Sequence, residues 1–133
     1  MVFADSSGLI AVFNAADVGH EQAAKAWQAL ARRRRLVLTT QLVFAETVTF
    51  LRRRVGWQAS RTVGDAMLRS RVVEVAGVSD EQLASGWREL LRSGDPKLSL
   101  CDAVSFVLMR ERGVSHVLTF DPHFADAGFE LLP

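Results

Sequence analysis

Short apolar runs alternate with helical segments along this 133-residue chain, and this alternation constrains its fold more than any other feature. Four runs have the apolar, β-branched composition of buried strands: Val2–Ala4, Leu36–Leu38, Val72–Val75 and Val114–Phe120. Phe129–Leu132 is predicted to add a short edge strand. Strands that alternate with helices predict an α/β fold, with a mostly parallel sheet of four or five strands and helices on both of its faces.

Capping residues predict where several of the helices begin. Thr39 and Thr40 precede a predicted helix through Leu42–Arg54. Ser79–Gln82 forms a capping box, and Ser99–Asp102 resembles one that opens a helix ending at Gly113. Other helices are predicted at Leu9–Phe13, His20–Ala31 and Ala59–Ser70.

Length and composition indicate one globular domain over residues 1–133. Hydrophobic residues make up 49% and charged residues 23%, which excludes a disordered, collagen-like or coiled-coil chain. No apolar stretch approaches the roughly 20 residues of a membrane helix, and the first residues lack the pattern of a secretory signal. Cys101 is the single cysteine, so an intramolecular disulfide is excluded. We therefore expect a cytoplasmic protein without membrane contact.

Four acidic residues are predicted to meet at one edge of the sheet. Asp5 and Asp121 each follow a strand directly, whereas Glu46 and Asp102 lie in early turns of helices. The carboxyl ends of parallel strands and the starts of the helices that follow them share one edge, where such folds bind ligands. The topology therefore permits all four carboxylates to face one crevice.

Three of these acids have a purely structural alternative that the sequence leaves open. Asp5 has the position of a helix N-cap, and Asp102 can complete a capping box with Ser99. Asp121 precedes Pro122 and can initiate a turn. Each of these roles explains the acid at that position without any bound ligand.

Glu46 is harder to explain structurally, because it lies too deep in its predicted helix to be a cap. Leu42, Val43 and Phe50 surround it at helical spacing, which predicts a carboxylate on or beside the apolar face. A buried carboxylate needs a partner, a raised pKa or a cation. Two like charges about 4 Å apart repel by about 4 kcal/mol at an effective dielectric constant of about 20. A cluster of four acids therefore favours a hard divalent cation such as Mg²⁺ or Mn²⁺.

Four motifs, in order along nearly the whole chain, resemble those of the PIN-domain nucleases, and most closely the VapC toxins of bacterial toxin–antitoxin pairs. Val2–Ile10 is similar to the family's first motif, an apolar strand that ends in Asp and is followed by Ser or Thr. Phe44–Thr47 is similar to its central Glu motif and Leu98–Ala103 to its third motif. Thr119–Phe124, followed by Gly128-Phe129, is similar to its C-terminal signature.

The resemblance implies a PIN-like three-layer α/β/α fold and a metal-dependent endoribonuclease. The family's metal-binding and catalytic acids correspond to Asp5, Glu46, Asp102 and Asp121, and its supporting hydroxyl groups to Ser7 and Thr119. These acids are expected to hold Mg²⁺ or Mn²⁺, which activates a water for hydrolysis of an RNA phosphodiester and leaves a 5′-phosphate. The resemblance also implies a homodimer and inhibition by a small VapB-type antitoxin whose tail enters the active-site groove.

Two other functions of α/β domains do not fit these residues. A phosphoacceptor domain needs an acidic pair after strand one and a late lysine, but Ser6 follows Asp5 and no lysine lies beyond Lys97. A phosphatase with an Asp-x-Asp nucleophile is excluded likewise, because Ser7 stands at the second Asp position. A catalytically inert PIN-fold module that binds protein or RNA is the remaining alternative.

Two arginine runs, Arg32–Arg35 and Arg52–Arg54, have three open interpretations: contact with RNA phosphates, solvated helix ends, or contact with an acidic antitoxin. The second is favoured, because helix C-termini are expected to point away from the active edge. Trp27 and Trp87 are expected to pack in the core or in a dimer interface, and Trp57 remains open. The three histidines show no metal-ligand spacing.

Overall fold

A computed structural model describes residues 1–133 as five strands and seven helices. The strands are β1 (Val2–Ala4), β2 (Val37–Thr40), β3 (Val73–Ala76), β4 (His116–Leu118) and β5 (Glu130–Leu132). The helices are α1 (Ser6–Phe13), α2 (His20–Arg32), α3 (Gln41–Arg54), α4 (Trp57–Arg69), α5 (Asp80–Ser93), α6 (Leu100–Glu111) and α7 (His123–Asp126). The predicted α/β class and its five strands are confirmed.

The sheet has the order β3-β2-β1-β4-β5, and every neighbouring pair is parallel. β1 lies at the centre, where Phe3 pairs with Leu38 of β2 and with Val117 of β4. The carboxyl ends of β1, β2 and β4 therefore meet at one edge. The elements that follow these strands begin at this edge, which brings residues distant in sequence together.

Burial of both sheet faces holds these short strands in place. All residues of β1 and β2 are buried, as expected for a parallel sheet covered by helices. Phe3, Leu38 and Val117 belong to a hydrophobic core of 23 buried residues to which most of the helices contribute. The helices pack against one another in the pairs α1 with α2, α3 with α4 and α5 with α6.

The capping residues predicted from the sequence are confirmed at three helices. The Thr40 side chain accepts a hydrogen bond from the Val43 N–H at the start of α3. Ser79 and Ser99 form complete capping boxes at the starts of α5 and α6. Thr39, in contrast, belongs to β2, and its hydroxyl donates to the carbonyl oxygen of Ala4.

The largest difference from prediction lies after β4. The strand ends at Leu118, two residues before the end predicted from the apolar run. Thr119 stays buried but turns its hydroxyl to neighbouring polar groups, and the chain then enters α7, a one-turn helix that periodicity did not predict. A four-residue helix is too short to show helical spacing.

Gly8 allows α1 to pack closely against the end of β4. A Cβ atom at this position would lie 2.2 Å from the carbonyl oxygen of Leu118. Because that oxygen belongs to the backbone of a central strand, it cannot move aside easily. The absence of a side chain at Gly8 therefore sets the spacing between the two segments that carry Asp5 and Thr119.

Candidate functional site

Asp5 is the most deeply buried of the predicted acids, with only 4% of its surface exposed. It caps α1, and its Oδ1 accepts hydrogen bonds from the backbone N–H groups of Ser7 and Gly8. Burial nevertheless raises the pKa of Asp5 to about 6, because removal of the carboxylate from water outweighs these hydrogen bonds. The predicted cap role is therefore confirmed, and it coexists with a carboxylate that a nearby cation would stabilise.

Two hydroxyl groups orient Asp5, one at each carboxylate oxygen, and they lie 3.1 Å from each other. The Ser7 hydroxyl lies 2.9 Å from Oδ1, and the Thr119 hydroxyl donates to Oδ2 at 2.8 Å. The backbone N–H groups of Phe120 and Asp121 donate in turn to these two hydroxyl oxygens. The structure thus brings Ser7 and Thr119 into direct contact with Asp5 and ties the first strand to the segment after β4.

Asp102 lies in the first turn of α6 and faces the same edge. One carboxylate oxygen, Oδ2, accepts from the Ser99 N–H in the capping box, and the other forms no hydrogen bond within the chain. Burial raises the pKa of Asp102, and repulsion from Asp121 and Glu46 adds to this effect. Both interpretations of this residue apply, because it caps a helix and also presents a free oxygen to other acids.

Asp121 is held by a histidine that bridges two carboxylates. The His123 Nδ1 lies 2.6 Å from Asp121 Oδ1, and its Nε2 lies 2.9 Å from Asp95 Oδ2. Asp121 Oδ1 also accepts from the backbone N–H of His123, which leaves Oδ2 without a hydrogen bond. Two hydrogen bonds raise the pKa of His123 and favour its charged form; the bond to Asp95 has the larger effect and the bond to Asp121 the smaller.

Glu46 lies beside the apolar face of α3, as predicted, but its carboxylate is exposed rather than buried. The residue is exposed on α3, and the buried positions of this helix are Val43, Thr47 and Leu51. Glu46 precedes Thr47 by one residue, or about 100° around the helix, so it lies at the border of the core-facing side. There it is close enough to Asp102 to raise the pKa of that residue. The structure therefore places Glu46 at the site with its carboxylate open to solvent.

The arrangement of donor atoms fits a hard divalent cation. Carboxylate oxygens of Asp102 and Asp121 lie within 4.8 Å of each other, and His123, whose hydrogen bonds to Asp95 and Asp121 favour its charged form, positions Asp121 beside them. Each of the two carboxylates keeps one oxygen without a hydrogen bond, and repulsion from Asp121 adds to the raised pKa of Asp102. Oxygen-rich donor sets of this kind suit Mg²⁺ or Mn²⁺. Asp5 and Glu46 lie outside this tight group but flank it.

Cys101 adjoins the acids without resembling a metal ligand. Burial and the nearby carboxylates, first that of Glu46, raise the pKa of its thiol far above neutrality. The thiol therefore remains protonated, whereas a cysteine ligand must be a thiolate. Cys101 is partly buried and packs against the hydrophobic core, as suits a small side chain with a weakly polar thiol.

Sequence reasoning missed His123 and Asp95. The spacing of His123, two residues after Asp121, was a usable signal, because side chains two apart in a turn often contact the same group. Asp95 gave no such signal, since 28 residues separate it from its partner and it lies in the loop between α5 and α6. Only the fold brings this loop to the start of α7.

Comparison with known proteins agrees with this geometry. The profile of the PIN domain family matches residues 2–130. The chain belongs to the PIN-domain family. The PIN domain of this chain is 37% identical over 130 residues to a protein of Mycobacterium tuberculosis named 23S rRNA-specific endonuclease VapC20, covering 97% of this chain and 95% of that relative.

Solved structures carry the same fold. The crystal structure of M. tuberculosis VapC20, described as a sarcin–ricin-loop-cleaving toxin, superimposes on this PIN domain with a TM-score of 0.90, at 34% identity and complete coverage of both chains. VapBC2 of Rickettsia felis and FitAcB of Neisseria gonorrhoeae each give a TM-score of 0.70, at 13% and 11% identity. They cover 98% and 100% of this chain and 97% of each of those chains, and they support the fold alone.

Surface features bear on the remaining expectations. Trp87 and Trp57 are about half exposed, so Trp87 does not pack in the core and its dimer-interface alternative stays a prediction. Trp27 packs edge-on against Phe13. Helices with the length and apolarity needed to cross a bilayer do not occur in this fold.

Proposed function

We propose that this PIN domain is a Mg²⁺- or Mn²⁺-dependent endoribonuclease and the toxin of a toxin–antitoxin pair. The observation that carries the proposal is the carboxylate cluster, in which Asp102 and Asp121 present open oxygens beside buried Asp5 at the carboxyl edge of the sheet. Near-full-length similarity to a named RNA endonuclease gives independent support. We treat residues 1–133 as one domain, since the family match and the hydrophobic core both extend along nearly the whole chain.

The proposed substrate is the sarcin–ricin loop of 23S ribosomal RNA. The support for it is the identity of 37% to VapC20, together with a TM-score of 0.90 to the structure described as cleaving that loop. A ribosomal substrate also implies that the protein acts in the cytoplasm.

Each predicted site residue has a defined task in this proposal. Asp102, Asp121 and Glu46 would hold the cation together with the buried Asp5 carboxylate. Ser7 and Thr119 keep the Asp5 carboxylate oriented through their hydrogen bonds. When bound, a divalent cation supplies an activated water and stabilises the charge of the phosphoryl group. The carboxylates also make RNA binding at this edge depend on the cation, because without it they repel the phosphates of RNA.

Partners are proposed from apolar side chains that the single chain leaves exposed. Leu83, Trp87 and Leu91 recur every four residues along α5 and are 42%, 51% and 65% exposed. An apolar stripe of this kind on a small domain is typical of a protein interface. We assign this stripe to a homodimer, and we propose that a small VapB-type antitoxin inhibits the active site.

Cleavage of purified ribosomes and of total cellular RNA tests the proposal, with every new end mapped by sequencing. We compare wild type, Asp5→Asn and, as a matched control, Asp65→Asn on the exposed surface of α4. Wild type and the control should cut in Mg²⁺ or Mn²⁺ but not in EDTA, and Asp5→Asn should not cut. Cuts outside the sarcin–ricin loop would refute the proposed substrate alone. A folded wild type that cuts nothing would refute the nuclease and favour the inert module.

A further inference from the structure

A cavity of about 370 Å³ opens directly beside Glu46 and continues along α3. Its lining residues are Glu46, Thr49, Phe50, Arg53 and Arg54. All five belong to one helix, and positions 46, 49, 50 and 53 recur at the spacing of a single helical face. The face that carries the proposed metal ligand therefore continues without interruption to two arginines.

The structure divides the arginine run between two sides of α3. Arg53 and Arg54 line the cavity with Glu46, whereas Arg52 lines a different cavity with Trp57 and Asp65, against α4. Arg53 and Arg54 lie in the last turn of α3, as predicted, yet they line the same cavity as Glu46. At 1.5 Å per residue, seven residues separate Glu46 from Arg53 by about 10 Å along the helix.

Both arginines keep their charge available for a ligand. Neither Arg53 nor Arg54 takes part in the ion pairs of the chain. Phe50, one turn before them, exposes 37% of its surface although it is a large apolar residue. An exposed aromatic ring between a cation site and two unpaired guanidinium groups is a combination that binds single-stranded nucleic acid, through base stacking and phosphate contacts.

An acidic site that binds RNA needs basic residues nearby for an electrostatic reason. The four carboxylates repel a polyanion, and a cation at the site offsets this repulsion only locally. Unpaired arginines about 10 Å away would attract the strand while leaving the reacting phosphate to the cation.

We propose that Phe50, Arg53 and Arg54 form a binding strip for single-stranded RNA on one side of the scissile phosphate. Arg53 and Arg54 bind phosphates of the strand next to the cut, and Phe50 stacks on an intervening base. This inference rests on the proposed nuclease function and assigns the path of its substrate. It also distinguishes this arginine run from Arg32–Arg35, part of which lines a cavity with Val2 and His116 at the opposite edge of the sheet.

The test measures RNA binding separately from cleavage. We place Arg53→Gln/Arg54→Gln in the inactive Asp5→Asn protein and titrate a fluorescent single-stranded RNA carrying the sarcin–ricin loop sequence at several salt concentrations. Loss of two phosphate contacts should lower the slope of log affinity against log salt by about 1.4. Phe50→Ala should weaken binding about tenfold and leave the salt slope unchanged. Phe50→Trp, which keeps an aromatic ring, should bind RNA as tightly as Phe50 does.

Arg33→Gln/Arg35→Gln provides the matched control, since it removes two exposed arginines at the opposite edge and should change neither quantity. Thermal melts confirm that every variant is folded. If Arg53→Gln/Arg54→Gln has the same salt slope as the control, the proposal that these residues bind RNA is refuted. Unchanged RNA binding combined with lost affinity for an acidic antitoxin peptide would also overturn it and assign the surface to a protein.

Cleavage kinetics separate this inference from the function on which it rests. In the active background, Arg53→Gln/Arg54→Gln should raise KM for the RNA at least tenfold and leave kcat within about twofold. If wild type cuts RNA and this variant has an unchanged KM, the strip is refuted while the nuclease stands. If wild type cuts no RNA, the proposed function fails and the strip fails with it.

Discussion

Replacement of Asp5 by Asn should stabilise the metal-free protein. Asn can still accept the hydrogen bonds from the N–H groups of Ser7 and Gly8, so the cap of α1 is kept. The change removes a carboxylate whose pKa burial raises from 3.8 to about 6. At pH 8 the charged form therefore costs the folded state about 3 kcal/mol relative to the unfolded chain.

The sign of the pH dependence follows from this raised pKa. Below the unfolded value of 3.8 the Asp5 carboxyl is protonated in both states and costs nothing. As the pH rises, the unfolded chain releases its proton first, and the stability of wild type falls until the folded pKa of about 6 is passed. The advantage of Asp5→Asn should therefore grow from about 0.6 kcal/mol at pH 4 to about 3 kcal/mol at pH 8.

Thermal and urea unfolding in EDTA measure this advantage at both pH values. For a chain of this length, about 3 kcal/mol corresponds to an increase of about 10 °C in Tm. The exposed substitution Asp65→Asn controls for the loss of one negative charge. Mg²⁺ at about 1,000 times its Kd should reverse the order, because it stabilises wild type by about 4.1 kcal/mol and the variant much less. A less stable Asp5→Asn at pH 8 in EDTA would refute the claim that burial dominates at Asp5.

Three further predictions concern single positions. Glu46→Gln should abolish cleavage and change Tm by less than about 2 °C, because the residue is exposed; a large loss of Tm would instead indicate a structural carboxylate. Gly8→Ala should lower the free energy of unfolding in urea by about 1–3 kcal/mol, since its Cβ would meet the Leu118 carbonyl oxygen. Gly77→Ala, whose Cβ would meet only ordinary contacts, is the comparison, and equal losses would contradict the packing explanation. His123→Phe should weaken Mn²⁺ binding about tenfold by calorimetry through loss of the contact with Asp121, and an unchanged affinity would exclude this positioning role.

Those parts of the fold that depend on local sequence were predictable. Strand composition and capping residues act within a few positions, so β1, β3 and the capping boxes at Ser79 and Ser99 lie close to their predicted places. The common edge of the acids was also predictable, because parallel topology fixes where strands end. Family resemblance then added which acids to choose, and their assignment as metal ligands remains a prediction.

The remaining features depend on contacts between distant segments. The exposure of Glu46 could not be read from its apolar neighbours, because α3 turns Thr47 rather than Glu46 toward the sheet. The bridge from Asp95 through His123 joins two loops that only the packed helices bring together. The division of Arg52–Arg54 likewise depends on the position of α4, which covers one side of α3.

The hydrogen bond between Thr119 and Asp5 joins residues 114 positions apart in the chain. Contacts of such separation form late during folding, because the entropy of closing the long intervening loop opposes them. Partly folded chains that lack the β1–β4 pairing would therefore carry all four acids without an organised site. For a nuclease, this arrangement ties activity to complete folding, so a newly made or damaged chain is harmless to RNA until, or unless, the whole domain is assembled.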